Sequence, residues 1–534
     1  MSRRRWIGLA FWLFVVLALF WQLGSRALNE PDEGRAAAIA REMQTQGSWW
    51  MPRLYDHAHV NKPPLLYWLL RAAYGLGGTS EWSARLPAAL SALATLALTA
   101  ALARRMRGAG SGLRAAALLL ACPLFFAQAR VLDYNMVLTA WVTLAFWAVW
   151  AWREEGRPHQ RALFYLALSL AFLTKGPVGP LLVVMGCLLY RWFPVAEAPW
   201  RALWSWPWAL GSLAVALTWH VSLALAHPEL WSFFLSQELA GRVLTQQHGR
   251  SEHLLFYAAI LPLSMLPWLP ALLRALRGVR RSVTTAPARR FIWLTTGAGL
   301  LLFTLAQSKL PTYILPLLPL LCVALAPADD EDDRPLDARF SLLVAAAVPL
   351  VVIYYGRSQF EWPRAHLDPA TALLPVAAMA AAGWIAGRSG GSFWRVWPLV
   401  IASFLLTHDL LRRHETRLGA HTSARAVAQA LAAHWQPGDQ VALVGRYPRG
   451  LGFYFQHPVS VYLEKYPLQI EADRMRVADK DFADPGEMFA RFDQTGRVFL
   501  VASPAVARER ERDARRPVHR LFDDGHHVLI SNQP

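Results

Sequence analysis

Charge is scarce in this sequence. Asp, Glu, Lys and Arg make up 17% of its 534 residues, against 55% hydrophobic residues, and the mean hydropathy is +0.24. Soluble domains carry about 25% charged residues, so a wholly soluble protein is excluded, and the apolar content excludes a disordered chain. One compact core is excluded as well, because single cores stop growing near about 250–300 residues. Cysteine is nearly absent. Cys122, Cys187 and Cys322 lie in apolar runs with no Cys-x-x-Cys pair, which excludes a disulfide framework and a cysteine zinc site. Lysine is rarer than its partner arginine by far: only Lys62, Lys175, Lys309, Lys465 and Lys480 stand among 54 basic residues. There is no repeat of fixed period, no long low-complexity linker and no glycine-rich phosphate loop. A polytopic membrane chain with a soluble appendage remains.

A bilayer-crossing helix needs about 20 mostly apolar residues. Roughly 13 segments qualify on that criterion, near 6–24, 86–103, 113–129, 131–152, 161–174, 177–192, 202–225, 254–273, 291–307, 311–328, 340–355, 370–387 and 393–411. The fifth and sixth meet at Thr174-Lys175-Gly176-Pro177, where the boundary is soft. Arg3, Arg4 and Arg5 precede the first apolar run, which has no small-residue cleavage site and therefore reads as an uncleaved helix. With those arginines in the cytoplasm, the cytoplasmic connections carry Arg104, Arg105, Arg107, Arg114, Arg153, Arg157, Arg161 and the Arg274–Arg290 group, as the positive-inside rule requires. One cytoplasmic loop, Asp329–Asp333, is acidic, and acids weigh little in that rule. An odd number of spans places the tail outside.

The tail, 412–534, is not membrane-like. A helical stretch near 422–435, strand-like runs at Gln440–Tyr447, Val459–Leu463, Val498–Ala502 and Val528–Ser531, and a charged helical segment Val506–Arg516 predict a small α/β domain. The fold class expected is thus an α-helical polytopic membrane protein, residues 1–411, with a long first external loop at 25–85 and a C-terminal soluble α/β domain. The tail is close to charge-balanced, so the net charge of +17 belongs mainly to the membrane half, which argues against nucleic-acid binding.

Three clusters fall on the external side. In Asn29-Glu30-Pro31-Asp32-Glu33-Gly34-Arg35, proline suits a first helical turn and carboxylates there suit the helix dipole. The same residues read either as a capped surface helix or as a carboxylate site with Arg35 one turn from Asp32, able to take a proton or position a sugar. In Asn61-Lys62-Pro63-Pro64-Leu65-Leu66-Tyr67-Trp68, a lysine above an apolar aromatic helix suits either a lipid phosphate or a snorkelling anchor. The third is a scatter at span ends: Asp133, Lys175, and Lys309 in Ser308-Lys309-Leu310-Pro311-Thr312-Tyr313. Ionisable residues at membrane depth are costly, and several cations on one side suit an anionic headgroup. Arg242 on the loop near 226–253 joins this set.

The run Asp32-Glu33-Gly34-Arg35, Ile39-Ala40-Arg41-Glu42-Met43 and Gly47-Ser48-Trp49-Trp50-Met51-Pro52-Arg53-Leu54 resembles the bacterial aminoarabinose transferases of lipid A, and more broadly the protein mannosyltransferase-like membrane glycosyltransferases. Lys62–Trp68, Ala84-Arg85-Leu86-Pro87, Val131-Leu132-Asp133, Leu173–Pro177 and Ser308–Pro316 follow in the same order, so the resemblance covers about residues 20–330. It implies a clan C glycosyltransferase of the bacterial inner membrane with a periplasmic active site. The donor would be a polyprenyl-phosphate sugar and the acceptor an envelope lipid or glycan, with surrounding membrane lipids as the only other partners. A single chain would suffice, with no cofactor and no nucleic acid. The resemblance assigns Asp32 and, less directly, Asp133 to catalysis. Lys62, Arg242 and Tyr313 are assigned to the lipid phosphate, and Arg35, Glu33, Lys309, Lys175 and Asn61, from the clusters above, are expected as further substrate contacts. The sequence departs from the pattern at Ala36, Ala38, Asn61 and Leu239. The last two replace a glutamate and a histidine that can hold a metal in the family, so no metal site is expected, and the altered pocket leaves the sugar open.

A polyprenyl phosphate leaves readily once its charge is held, and one preorganised donor of that kind is worth about 3 kcal/mol. Asp32 would act as base toward a hydroxyl acceptor, or would orient an already ionised phosphate acceptor. Displacement in one step, implied by the resemblance, inverts the anomeric centre. Three other readings compete: a flippase for lipid-linked sugars, hexose transfer to protein, and a non-catalytic scaffold. A flippase needs charged positions through the bilayer, and the midspan positions here are nearly free of them.

Overall fold

The computed structural model describes residues 3–192, 203–228, 230–232, 234, 253–327, 393–413, 423–444, 448–462, 485–494 and 496–534. The chain divides into two compact units. One comprises Met1–Leu23, Pro87–Thr218 and Arg242–Arg412, and the other Gly24–Leu86, Trp219–Gly241 and Arg413–Pro534.

The first unit is helical. Among the described residues three helices are long and apolar enough to cross a membrane: Glu81–Arg107, Tyr134–Glu155 and Trp206–Ala226. Phe256–Ser264 and Leu266–Arg277 form a further apolar pair, bent by 83°. Shorter apolar helices run over Arg5–Phe20, Ser111–Leu120, Val178–Arg191, Pro311–Leu325 and Val396–Asp409. The expected spans 340–355 and 370–387 and the acidic loop at 329–333 lie outside the described residues.

Several runs that read as continuous are broken, and the breaks have local causes. The 113–129 run becomes Ser111–Leu120 and Pro123–Gln128. Pro123 has no N–H to continue the helical ladder, and Cys122 N turns back to Leu119 O (3.0 Å). Indole donors supplement the carbonyls of the turn before the break: Trp268 Nε1 donates to Leu118 O (2.9 Å) and Trp397 Nε1 to Ala117 O (2.7 Å). Such partners matter in lipid, where water cannot serve as a substitute. The soft boundary near Lys175 is a true break. Gly176 adopts φ +73°, a conformation glycine takes at little cost, and the next helix begins at Val178. Arg130 closes the C-terminal end of the first helix, donating to Ala18 O (2.7 Å), Leu19 O (2.9 Å) and Trp21 O (2.5 Å). These are carbonyls of the kind a helix end leaves without intrahelical partners.

The second unit contains a five-stranded sheet in the order β4-β3-β5-β7-β6, with β3 at Gln440–Val444, β4 at Ser460–Tyr462, β5 at Val498–Ala502, β6 at His519–Asp523 and β7 at Val528–Ser531. β3 runs parallel to β4 and β5, while β7 is antiparallel to β5 and β6. Alternate residues of the central strands feed two cores. Val441, Leu443, Phe499, Val501 and Leu529 pack with Val427 and Leu431 of the Arg425–His434 helix. Ala442, Val444, Leu500, Ala502 and Ile530 pack with Met488 and Phe492 of the Pro485–Phe492 helix. Burial on both faces explains why these strands read as unbroken apolar runs. β6 had no such signal, since its sequence, His519-Arg520-Leu521-Phe522-Asp523, is that of a half-exposed edge strand.

The same unit includes the first external loop. It holds the helices Asp32–Thr45 and Leu65–Gly77 and a two-residue hairpin, β1 at Arg53–Leu54 and β2 at His57–Ala58. Its partner is the turn at 448–455 in the tail. Glu30 accepts from Gly450 N (2.6 Å) and Arg449 N (3.1 Å), Leu28 N donates to Tyr454 Oη (2.8 Å), and Tyr55 Oη donates to Pro448 O (2.8 Å). Arg41 donates to Gly452 O, and Arg425 pairs with Glu81. Two glycines make this approach possible. A Cβ on Gly34 would lie 2.9 Å from the Cα of Gly450, and one on Gly450 would lie 2.8 Å from the Cα of Gly34. Glu30 Oε1 lies 2.5 Å from either added Cβ, and the facing backbone cannot give way. Gly450→Ala is therefore expected to cost about 1–3 kcal/mol, the range for overpacking. A thermal unfolding midpoint of the full chain identical to wild type would refute the contact.

Candidate active site

Asp32 and Glu33 are neighbours in the first turn of the Asp32–Thr45 helix and do different things. Asp32 Oδ1 accepts from Arg35 Nη2 at 2.7 Å, and its side chain stays 68% exposed. Glu33 is buried. Its Oε1 meets Arg85 Nε at 2.9 Å and its Oε2 meets Arg85 Nη2 at 3.0 Å, and Oε2 also accepts from Asn29 N at 3.0 Å. The rest of the Arg85 guanidinium donates to Arg26 O and Ala27 O, each at 2.8 Å. Glu33, expected as a substrate contact, thus has both oxygens committed to holding the 26–29 segment that leads into Asp32. Arg85 carried no role in the sequence reading. Its signals were its place in the Ala84-Arg85-Leu86-Pro87 run and at the head of an apolar span.

Lys62 follows the β1–β2 hairpin. Pro63 and Pro64 are buried, and Pro64 stands immediately before the Leu65–Gly77 helix. Lys62 Nζ lies 3.3 Å from Asn61 O, and both side chains are half-buried. His59, three residues earlier, is fully enclosed. Its burial, and then the positive charges of Arg35, Arg449 and Lys62, hold its pKa well below the usual histidine value, so it is neutral at neutral pH. The Trp49–Trp50 pair is pinned beside this loop. Arg71 stacks 3.8 Å over the Trp49 ring, Trp68 Nε1 donates to Trp49 O (2.6 Å), and Trp50 Nε1 donates to Ser222 Oγ (2.8 Å). Lys62, Arg35, Asp32 and Asn61 therefore all belong to one compact unit.

The span-end residues gather in the other unit. Asn135 Nδ2 donates to Asp133 Oδ2 (2.6 Å) and to Thr312 Oγ1 (3.0 Å), and Asn135 Oδ1 accepts from Lys175 Nζ. Lys175 Nζ also sits 4.3 Å over the ring of Tyr313, a cation–π placement. Tyr257 Oη donates to Leu310 O (3.0 Å) and so secures the start of the Pro311–Leu317 3-10 turn that carries Tyr313. Lys309 is buried at 7% exposure. Three motifs more than 100 residues apart at their extremes thus form one network, Asp133–Asn135–Lys175–Tyr313 with Thr312. Asn135, its hub, stands two residues past the quoted Val131-Leu132-Asp133 run, and Thr312 lies inside Ser308–Tyr313; neither had been given a role. Arg242 lies outside the described residues.

The residues do not fit a metal. Asn61 offers an amide in place of a carboxylate, and Leu239, which lies outside the described residues, offers no donor at all. No group of three His, Cys, Asp or Glu side chains comes together among the described residues.

Residues 61–227 match the family model described as dolichyl-phosphate-mannose-protein mannosyltransferase. The undecaprenyl phosphate-alpha-4-amino-4-deoxy-L-arabinose arabinosyl transferase 1 of Sodalis glossinidius is 28% identical over 471 residues, covering 81% of this chain and 83% of that one. The corresponding transferase of Pseudomonas aeruginosa is 31% identical over 330 residues, covering 60% and 59%. The chain is a glycosyltransferase similar to these aminoarabinose transferases. Its fold agrees. The crystal structure of ArnT from Cupriavidus metallidurans bound to undecaprenyl phosphate superposes with a TM-score of 0.81 at 23% identity, covering 99% of this chain and 98% of that one. The apo structure of the same protein gives 0.82. The transferase therefore has the helical clan C architecture expected from its motifs.

Proposed function

We propose that this transferase moves a sugar from a polyprenyl-phosphate donor to a lipid A-like acceptor at the periplasmic face of the inner membrane, acting as a single chain. The observation that carries the reading is the likeness over 81% of the chain to a transferase named for its undecaprenyl phosphate-sugar donor. Lys62, Tyr313 and Arg242 hold the donor phosphate and stabilise the charge that builds as the sugar–phosphate bond breaks. The exposed carboxylate of Asp32, held by Arg35, accepts a hydroxyl proton or orients an anionic acceptor. Asp133 acts through the Asn135–Lys175 network, which fixes the lysine beside Tyr313. Glu33 positions the loop and does not touch substrate, and Asn61 and Lys309 line the donor side. Because the carboxylate and imidazole positions of the family's metal are Asn61 and Leu239, no step passes through a metal.

Purified full-length protein incubated with undecaprenyl-phosphate sugars and lipid A should yield sugar-modified lipid A by mass spectrometry. Ala36 and Ala38 leave the sugar pocket altered, so the donors tested should include aminoarabinose and unmodified pentoses and hexoses. Transfer is expected to survive exhaustive chelation. Activity abolished by a chelator and restored by zinc would refute the metal-free assignment. Movement of a lipid-linked sugar across liposomes without transfer would replace the reading by a flippase.

A further inference from the structure

The ends of three elements meet at one buried amide. Asn135 lies in the first turn of the Tyr134–Glu155 helix, Lys175 is the last residue of the Pro158–Lys175 helix, and Thr312 and Tyr313 stand near the start of the Pro311–Leu317 3-10 turn. Asn135 is 6% exposed, while Asp133, Lys175, Thr312 and Tyr313 are all half-buried. The orientation of the amide is fixed by the chemistry of its partners. A carboxylate only accepts and an ammonium only donates, so Nδ2 must face Asp133 Oδ2 (2.6 Å) and Oδ1 must face Lys175 Nζ. The second hydrogen of Nδ2 goes to Thr312 Oγ1 (3.0 Å). One side chain thus bonds to all three stretches, and both of its donor hydrogens and its oxygen are used.

We infer that Asn135 is a positioning residue for the transfer reaction, which sets the Lys175–Tyr313 pair in register with Asp133 and touches no substrate itself. The inference rests on the proposed function and deepens it, because it names what keeps the donor-phosphate grip in place. A lysine ammonium rides on a flexible four-carbon stem, so its placement 4.3 Å over the Tyr313 ring needs a second anchor. Asn135 Oδ1 is that anchor. The bond to Thr312 holds the residue next to Tyr313, so the same amide fixes both the cation and the backbone that carries the ring. Only a neutral amide serves here, because it accepts from the cation while it donates to the carboxylate. Leucine at this position offers neither, and aspartate has no hydrogen for Asp133. A misplacement of about 1 Å in a reacting group can cost about a hundredfold in rate, even when the substituted residue lies away from the chemistry.

The test is a double-substitution cycle on full-length protein in detergent, read by binding of undecaprenyl phosphate and of undecaprenol, with transfer kcat measured in parallel. Asn135→Leu is expected to weaken undecaprenyl phosphate about tenfold, the scale of one misplaced charge-assisted contact. It should lower kcat about a hundredfold and leave undecaprenol binding unchanged. In a Lys175→Met background the same substitution should weaken phosphate binding by less than about twofold further, because residues that act as a unit are not additive. A merely structural role would add its full loss in either background. Thr312→Val keeps the shape and removes the acceptor, so it should reproduce part of the loss, while Thr312→Ser should retain most of the affinity. That pair decides the matter if Asn135→Leu does not fold. Wild-type affinity for undecaprenyl phosphate in Asn135→Leu or Thr312→Val, equal loss for undecaprenol, or a full further loss in the Lys175→Met background overturns the inference. So does a wild-type protein that binds undecaprenol as tightly as undecaprenyl phosphate. Because binding needs no turnover, a wild-type protein that prefers undecaprenyl phosphate yet transfers no sugar counts against the proposed function and not against this residue.

Discussion

Lys62→Ala is expected to lower sugar transfer by about a hundredfold to a thousandfold, the loss typical of removing one preorganised donor from a developing anion. The effect should appear in kcat as well as in donor KM, because charge on the leaving phosphate grows as the bond breaks. Asp32→Asn is expected to match it by another route. The amide still meets Arg35 but neither accepts a proton nor carries charge, and loss of a general base costs about 10²–10⁴ in rate. The two variants differ in a second assay: Lys62→Ala weakens undecaprenyl phosphate binding, and Asp32→Asn does not. Full transfer activity in both variants would sink the site assignment and leave a scaffold as the better reading.

Glu33→Gln is expected to be the most destabilising single change in the first loop, at about 3–5 kcal/mol. That is the scale for breaking a buried ion pair from one side. The Glu33 and Arg85 side chains are 2% and 4% exposed, and removing the carboxylate leaves a guanidinium buried without its counter-charge. The loss should show as a lower thermal midpoint of the purified chain. Replacing both partners, as in Glu33→Gln with Arg85→Met, should recover part of it, because the stranded charge is gone. If Glu33→Gln instead keeps its stability and loses only substrate affinity, Glu33 is a substrate contact after all. The contrast with Asp32 is informative. One carboxylate change should remove activity and spare the fold, while its neighbour should damage the fold first.

How much was legible in the sequence varies by residue. Lys62, Lys175 and Lys309 stood out because lysine is rare here, and each sits at the edge of an apolar run with Pro63, Gly176 or Pro311 within two residues. The convergence of Lys175, Asp133 and Tyr313 was anticipated only as several groups on one side. Asn135 and Thr312, which join them, looked like ordinary polar residues. The Glu33–Arg85 pair spans 52 positions and has no periodicity to reveal it. The turn at 448–455 carried no reading in the sequence, since Gly450 and Gly452 signal only a turn. The broken spans were missed because hydropathy sums over a window and does not register that Pro123 lacks a donor.

The sequence by itself determined that this is a multi-pass membrane chain with an α/β tail, and which residues to propose for its chemistry. Those properties follow from composition and local pattern: long apolar runs demand lipid, alternation and propensity build strands, and ionisable groups at span ends are too costly to be incidental. Only the tertiary structure decided which of two adjacent carboxylates faces solvent. Successive helical residues point about 100° apart, so Asp32 and Glu33 necessarily diverge, but the buried direction is set by where Arg85 and the tail arrive. It also decided that the tail contributes to the first loop. That contact depends on two glycines more than 400 residues apart meeting without side chains. No local rule encodes the meeting, because its energy comes from close approach of distant backbone.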